Sequence, residues 1–172
     1  MQSAIIQVNV SPGGIPKQPI PSGRVGPDGL EGDAHAHPQF HGGPRKAVLL
    51  IAAEVVDELA ARGYPVFYGA LGENLTTRGL DVRALRIGDQ LRAGGATLEI
   101  TQVRAPCSQL DIYGPSLKSE LYDVRVKAGE SGSPRWGKSG FYLSVIEAGL
   151  VAPGDIIAPV AESISPKAAD RC

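Results

Sequence analysis

The sequence holds 22 glycines and 14 prolines, spread along its whole length, and that density limits the chain to short elements. Proline ends regular pairing, and glycine marks turns. Many short strands are therefore expected, with few and short helices. The length, 172 residues with 42% hydrophobic, suits one domain with its own core.

Several short strands can be placed. Ala4–Val10 reads as the first, with Ile6, Val8 and Val10 on one face by period-two spacing. Proline and glycine crowd Ser11–Gly29, which reads as an extended loop or a set of turns. Ala47–Ile51 is a continuous apolar run and reads as a buried strand. Ala53–Arg62 follows as a helix with the stripe Val55, Val56, Leu59 and the stop Gly63. Glu73–Thr76 is a short strand or turn. Gln90–Ala93 and Ala96–Arg104, joined by Gly94-Gly95, predict a hairpin. Ile87-Gly88-Asp89 is echoed by Pro153-Gly154-Asp155, each a tight turn launching a strand. Pro115–Lys127 reads as a second helix with Leu117, Leu121 and Val124 on one face. Gly140–Ile146 alternates as a strand, and Pro159 ends the last one.

Six to eight strands and two helices follow. The fold class expected is mostly β: a closed or strongly bent antiparallel barrel with two or three helices packed outside. Residues 1–160 form the domain and residues 161–172 a tail.

The net charge of −1 argues against nucleic acid or an anionic membrane as partner. No apolar run approaches the roughly 20 residues of a membrane span, and no secretory leader is expected. A reducing cytoplasm is the expected compartment, since Cys107 and the terminal Cys172 do not suggest a structural disulfide.

Cys107 is the candidate reactive group. The strand Leu98–Val103 runs into Pro106, and the thiol follows on an irregular turn beside Arg104. A nearby cation favours thiolate, the form that acts as nucleophile or metal ligand. Inert core packing is the alternative, because free cysteine is often simply buried. His35, His37 and His41 with Glu31 or Asp33 supply zinc ligand types. Pro38 and Gly42-Gly43 break any helical spacing, so loop histidines that hydrogen-bond the backbone are the plainer reading.

The motifs together resemble one family. Asn9-Val10-Ser11-Pro12-Gly13-Gly14, Gly29-Leu30-Glu31-Gly32-Asp33-Ala34-His35, His41-Gly42-Gly43-Pro44, Gly72-Glu73-Asn74-Leu75-Thr76, Ile87-Gly88-Asp89, Pro106-Cys107, Gly140-Phe141-Tyr142 and Gly154-Asp155 run in order. That order is similar to the MOSC family, named for the C-terminal domain of molybdenum cofactor sulfurase, and to its small stand-alone bacterial members. The resemblance implies a β-barrel with a cleft for molybdenum cofactor, and Cys107 as molybdenum ligand. It implies reduction of N-hydroxylated compounds with electrons from an external reductase. The alternatives it leaves are a sulfur carrier holding a persulfide on Cys107, supplied by a sulfur donor protein, and a cofactor-binding module without catalysis. Lys46, Arg45 and Arg104 are candidate cations for the cofactor phosphate. His41, Gly42, Gly43 and Gly69–Gly72 are candidates for close approach, and Asn74 for the pterin amides or for capping a turn. The chain departs from the family pattern at Arg45-Lys46, where an acidic residue then Arg is common, and at Ser144, where Arg is common. Pyridoxal phosphate, tied to a separate domain of the full sulfurase, is not expected. No G-x-G-x-x-G follows a strand, so no nicotinamide or flavin site is expected either.

Overall fold

The computed structural model describes residues 1–34 and 42–161. The histidines 35, 37 and 41, the zinc reading that rested on them, and residues 162–172 with Cys172 lie outside the described residues.

Strand β1 (Ala4–Val10) opens the chain. The stretch expected as loop instead supplies three short strands, β2 (Gln18–Ile20), β3 (Gly23–Gly26) and β4 (Gly29–Leu30). Each is too short for a periodic pattern to emerge from the prolines and glycines around it. A 3₁₀ turn (Pro44–Lys46) leads into β5 (Val48–Ala52), helix α1 (Ala53–Ala61) and β6 (Leu75–Arg78). The hairpin β7 (Gln90–Ala93) and β8 (Ala96–Val103) follows, then a 3₁₀ turn (Ser108–Tyr113). Helices α2 (Leu117–Leu121) and α3 (Val124–Lys127) precede β9 (Phe141–Glu147), β10 (Gly149–Val151) and β11 (Ile157–Pro159).

The chain is mostly β with few helices. Eight strands form one sheet in the order β11-β7-β8-β9-β5-β6-β1-β2, and β10-β3-β4 form a second. The expectation of a purely antiparallel sheet needs correction, because β5 and β6 pair in parallel. Helix α1 is the crossover that makes this possible, carrying the chain back to start β6 beside β5. Its face Val55, Val56 and Leu59 is buried, as the stripe predicts. β5 lies between β9 and β6, and all five of its residues are buried. That is why its sequence is apolar throughout rather than alternating.

Three further expectations change. In β1 the fully buried residues are Ile5, Val8 and Asn9, not Ile6, Val8 and Val10 as one face. A bulge between Ile5 and Gln7 inserts a residue and reverses the parity of the side chains. The helix expected over Pro115–Lys127 is broken, because Tyr122 and Asp123 are extended. The Asp123 carboxylate then accepts from Val126 N at 2.8 Å and caps a new helix. Val124 is consequently 81% exposed and Val126 takes the buried place. The hairpin register, by contrast, pairs Ala93 with Ala96 as the sequence predicts. Gly94 sits at φ 53, and a Cβ there would lie 2.3 Å from Asp155 Oδ2.

The echoed turns have one geometry. Gly88 N donates to Ile100 O and Ile100 N to Asp89 O; Gly154 N donates to Ile5 O and Ile5 N to Asp155 O. Each aspartate carboxylate also caps its own turn, Asp89 from Arg86 N at 2.7 Å and Asp155 from Ala152 N at 2.8 Å. The second turn fastens β1 to the approach of β11, where Ala4 bridges Ile156. No helix among the described residues is long and apolar enough to cross a membrane.

Candidate functional site

Strand β8 ends where Pro106 requires it to. Arg104 N still donates to Gly140 O at 2.9 Å, and Ser139 Oγ donates to Arg104 O at 2.6 Å. Cys107 then starts the turn of residues 108–113, its carbonyl accepting from Leu110 N. Leu110 is fully buried and pins that turn to the core. The thiol itself is half-buried, and among the described residues Cys107 is the free cysteine.

Cys107 lines a cleft with Lys46, Asn74, Arg104, Tyr142, Lys17 and Gln109, and with the apolar Ile15, Leu49 and Leu71. Five of the expected site residues therefore converge: Cys107, Lys46, Asn74, Arg104 and Gly72. Gly42 and Gly43 instead lead into the turn that delivers Lys46, with Lys46 N bonded to Gly43 O at 3.0 Å. His41 lies outside the described residues.

The polar side chains differ in how free they are to meet a ligand. Asn74 is buried, and its Oδ1 accepts from Leu49 N at 3.0 Å. Its Nδ2 donates to Asn9 O at 3.2 Å and to Asp33 Oδ2 at 2.8 Å. Both amide hydrogens are thus engaged within the protein, so Asn74 ties β6 to β1 and β5. Arg104 is 5% exposed, with Nη2 donating to Leu71 O at 2.8 Å. Its charge is turned into the cleft floor. Gly69 makes its close approach to the backbone of Lys17, whose O would stand 2.3 Å from an added Cβ, and not to open cleft space.

Lys46 is held where it can act. The single hydrogen of Thr101 Oγ1 lies within reach of both Arg45 O and Tyr142 O, fixing the 44–46 turn on β9. The Lys46 ammonium stands 5.3 Å from the Tyr142 ring centroid, within cation–π range. Burial pushes the Tyr142 hydroxyl up from the usual phenol value. Arg104 opposes this shift and Cys107 adds to it. The hydroxyl is accordingly a donor at neutral pH.

Lys17, Glu73 and Tyr142 escaped the sequence reading as site residues, and Asp33 entered it only as a possible zinc ligand. Asp33 and Lys17 form a buried ion pair at 2.5 Å in the cleft wall. Lys17 sits in a proline-rich stretch with no periodicity to mark it. Glu73 is fully buried, accepting from Gly69 N at 2.7 Å and Thr76 Oγ1 at 3.1 Å. Burial pushes its carboxyl above the usual range, against the lowering by those hydrogen bonds and by Arg104. Tyr142 was read only as part of the strand Gly140–Ile146. Glu73 and Tyr142 both lay inside recognised motifs, the one signal that pointed to them.

The MOSC domain model matches residues 37–158, more than half of the chain. The chain belongs to the MOSC domain family. Its sequence is 35% identical over 145 residues to the uncharacterized protein YflK of Bacillus subtilis, covering 82% of this chain and 60% of that protein. It is 31% identical over 145 residues to YiiM of Escherichia coli, covering 78% and 58%. The chain thus spans about three fifths of these curated relatives. The crystal structure of YiiM from Geobacillus stearothermophilus superposes with a TM-score of 0.70 at 28% identity, covering 95% of this chain and 77% of that one. All the cleft residues from Lys46 to Tyr142 fall inside the matched MOSC segment, whereas Lys17 and Asp33 precede it.

Proposed function

We propose that this MOSC protein binds molybdenum cofactor in the Cys107 cleft and reduces N-hydroxylated small molecules, with electrons from an external reductase. The observation that carries the reading is a half-buried free thiol facing a cleft that also holds Lys46, Arg104 and Lys17. Thiolate is a soft ligand suited to a sulfur-bound metal, and the cations suit a phosphate-bearing pterin. The family as a whole is associated with this cofactor. The bridge between Ala4 and Ile156, which links β1 to the approach of β11, supports reading the sheet as a barrel with the cleft on its flank.

The donor set fits the group, with a division of labour. Cys107 would ligate the metal. Lys46 would meet the phosphate or another anionic part, steadied by Tyr142. Asn74 and Arg104 would shape the floor, Asn74 with both amide hydrogens engaged within the protein and Arg104 held through Nη2 to Leu71 O. The bound cofactor would supply a metal centre that exchanges two electrons with the substrate, chemistry no side chain here offers. Reducing an N-hydroxyl group also consumes two protons and releases water. Tyr142, kept protonated by burial, is a hydrogen donor in position to serve that need.

The test is elemental and pterin analysis of protein made in a host that synthesises the cofactor. Stoichiometric molybdenum with pterin is the expected result. Cyanide-labile sulfur without molybdenum would replace this reading with a persulfide carrier.

A further inference from the structure

We propose that Lys17 is a recognition residue of the cleft, its ammonium donating to an uncharged carbonyl oxygen of the bound molecule, the ring carbonyl of the pterin. The inference rests on the cofactor reading above and gives this residue a role narrower than charge. Lys17 precedes the matched MOSC segment, yet it lines the same cleft as Cys107, beside Ile15, Gly72 and Asn74. Its side chain is 7% exposed and that of its partner Asp33 is 3% exposed. The backbone is fixed as well. Lys17 N donates to Gly69 O at 2.9 Å, and Lys17 O packs on Gly69.

A lysine ammonium carries three hydrogens. Among the described residues, Asp33 Oδ1 at 2.5 Å is the one acceptor that Lys17 Nζ has. Two hydrogens are left over on a side chain that solvent barely reaches, in the wall of the cleft. Buried donors are almost always paired, so these two call for an acceptor on the molecule that fills the cleft. Asp33 decides what kind of acceptor. Its carboxylate balances the Lys17 charge and cannot turn away, because Ser11 N and Asn74 Nδ2 hold it at 3.0 and 2.8 Å. An anion on Lys17 would meet that carboxylate at short range and be repelled. A neutral oxygen takes a charge-assisted hydrogen bond without the repulsion. An N-hydroxylated substrate need not contain a carbonyl, whereas a pterin always does. Lys46, against the Tyr142 ring, is left for the phosphate.

The test is fluorescence titration of the full chain, made in a host without cofactor synthesis, with free pterin and with 2-aminopteridine, the same ring lacking the carbonyl. The parent is expected to bind pterin about tenfold more tightly or better, the scale of one charge-assisted hydrogen bond. Lys17→Met is expected to bind the two alike, its loss confined to pterin. Should that variant fail to fold with Asp33 unbalanced, Lys17→Met/Asp33→Asn removes both charges together and is read in the same way. A parent without the preference, or a variant that keeps it, would overturn the assignment. A variant that keeps the preference and instead raises KM for benzohydroxamic acid at constant kcat, in cofactor-loaded protein, would overturn it by moving the carbonyl to the substrate. Molybdenum analysis of the parent judges the cofactor reading separately. Molybdenum without a pterin preference sinks the Lys17 role alone, and a pterin preference without molybdenum sinks the metal chemistry alone.

Discussion

Two buried carboxylates flank the cleft, and they are treated differently. Asp33 is saturated: Oδ1 takes Ser11 N at 3.0 Å and Lys17 Nζ at 2.5 Å, and Oδ2 takes Asn74 Nδ2 at 2.8 Å. Glu73 is more deeply buried, yet one of its oxygens has no protein partner. A saturated buried ion pair holds its neighbours in one arrangement, whereas an unsatisfied group is tolerated where something other than stability is served. The Asp33 wall is scaffold, fixing Asn74 and the 11–17 segment. At Glu73, between the cleft-lining Gly72 and Asn74, one carboxyl oxygen has no protein partner.

The contrast can be broken most severely at Asp33. Asp33→Ala would leave the Lys17 ammonium buried without a counter-ion, which costs about 3–5 kcal/mol. Urea unfolding should show that loss, and Asp33→Asn should show less of it. Glu73→Gln should behave in the opposite sense. The folded-state proton affinity of Glu73 is raised by burial, so the folded protein binds a proton that the unfolded chain releases. Below the usual glutamate range both states are protonated and Glu73 costs nothing. As pH rises through and above that range, the parent loses stability that the variant keeps. Melting temperatures of the two proteins at pH 4 and pH 7 should therefore diverge in favour of the variant. Equal gaps at both pH values would show that Glu73 is no less satisfied than Asp33.

How much of this was legible in the sequence depends on whether a residue's neighbours are local. The hairpin at Gly94-Gly95, helix α1 and the buried β5 were readable, because period, turn chemistry and stop signals all lie within a few residues. The thiol after Pro106 was readable for the same reason. The parity of β1 was not, since its bulge answers to the pairing with β6, some seventy residues away. Nor was the parallel β5–β6 pair, or the break at Asp123, whose second carboxylate oxygen is held by Ser133. At the site, the residue types at 74 and 104 suggested free polar groups. Only the fold shows that Leu49, Asn9 and Asp33 already occupy the Asn74 amide and that Leu71 O takes one Arg104 hydrogen. Lys17 and Asp33 were invisible as a pair because the ion pair spans a proline-rich stretch.

A smaller effect sharpens the same division. Lys46→Met should leave the melting temperature nearly unchanged, as it removes one cation–π contact worth about 0.5–1 kcal/mol at a partly exposed site. Cofactor retention should nevertheless weaken by about 1–3 kcal/mol, the value of a hydrogen bond to a charged group. Dialysis against the pterin-loaded protein, followed by molybdenum analysis, would measure it. Unaltered retention would make Lys46 a surface charge resting on Tyr142.

The most direct measurement is the molybdenum-to-protein ratio of the parent and Cys107→Ser, produced side by side in a cofactor-synthesising host. Serine keeps the shape of the turn and replaces a soft sulfur by a hard hydroxyl. The predicted result is molybdenum near one per chain in the parent, almost none in Cys107→Ser, and the same circular dichroism spectrum in both. A Cys107→Ser protein carrying as much molybdenum as the parent would contradict the assignment of Cys107 as the metal ligand.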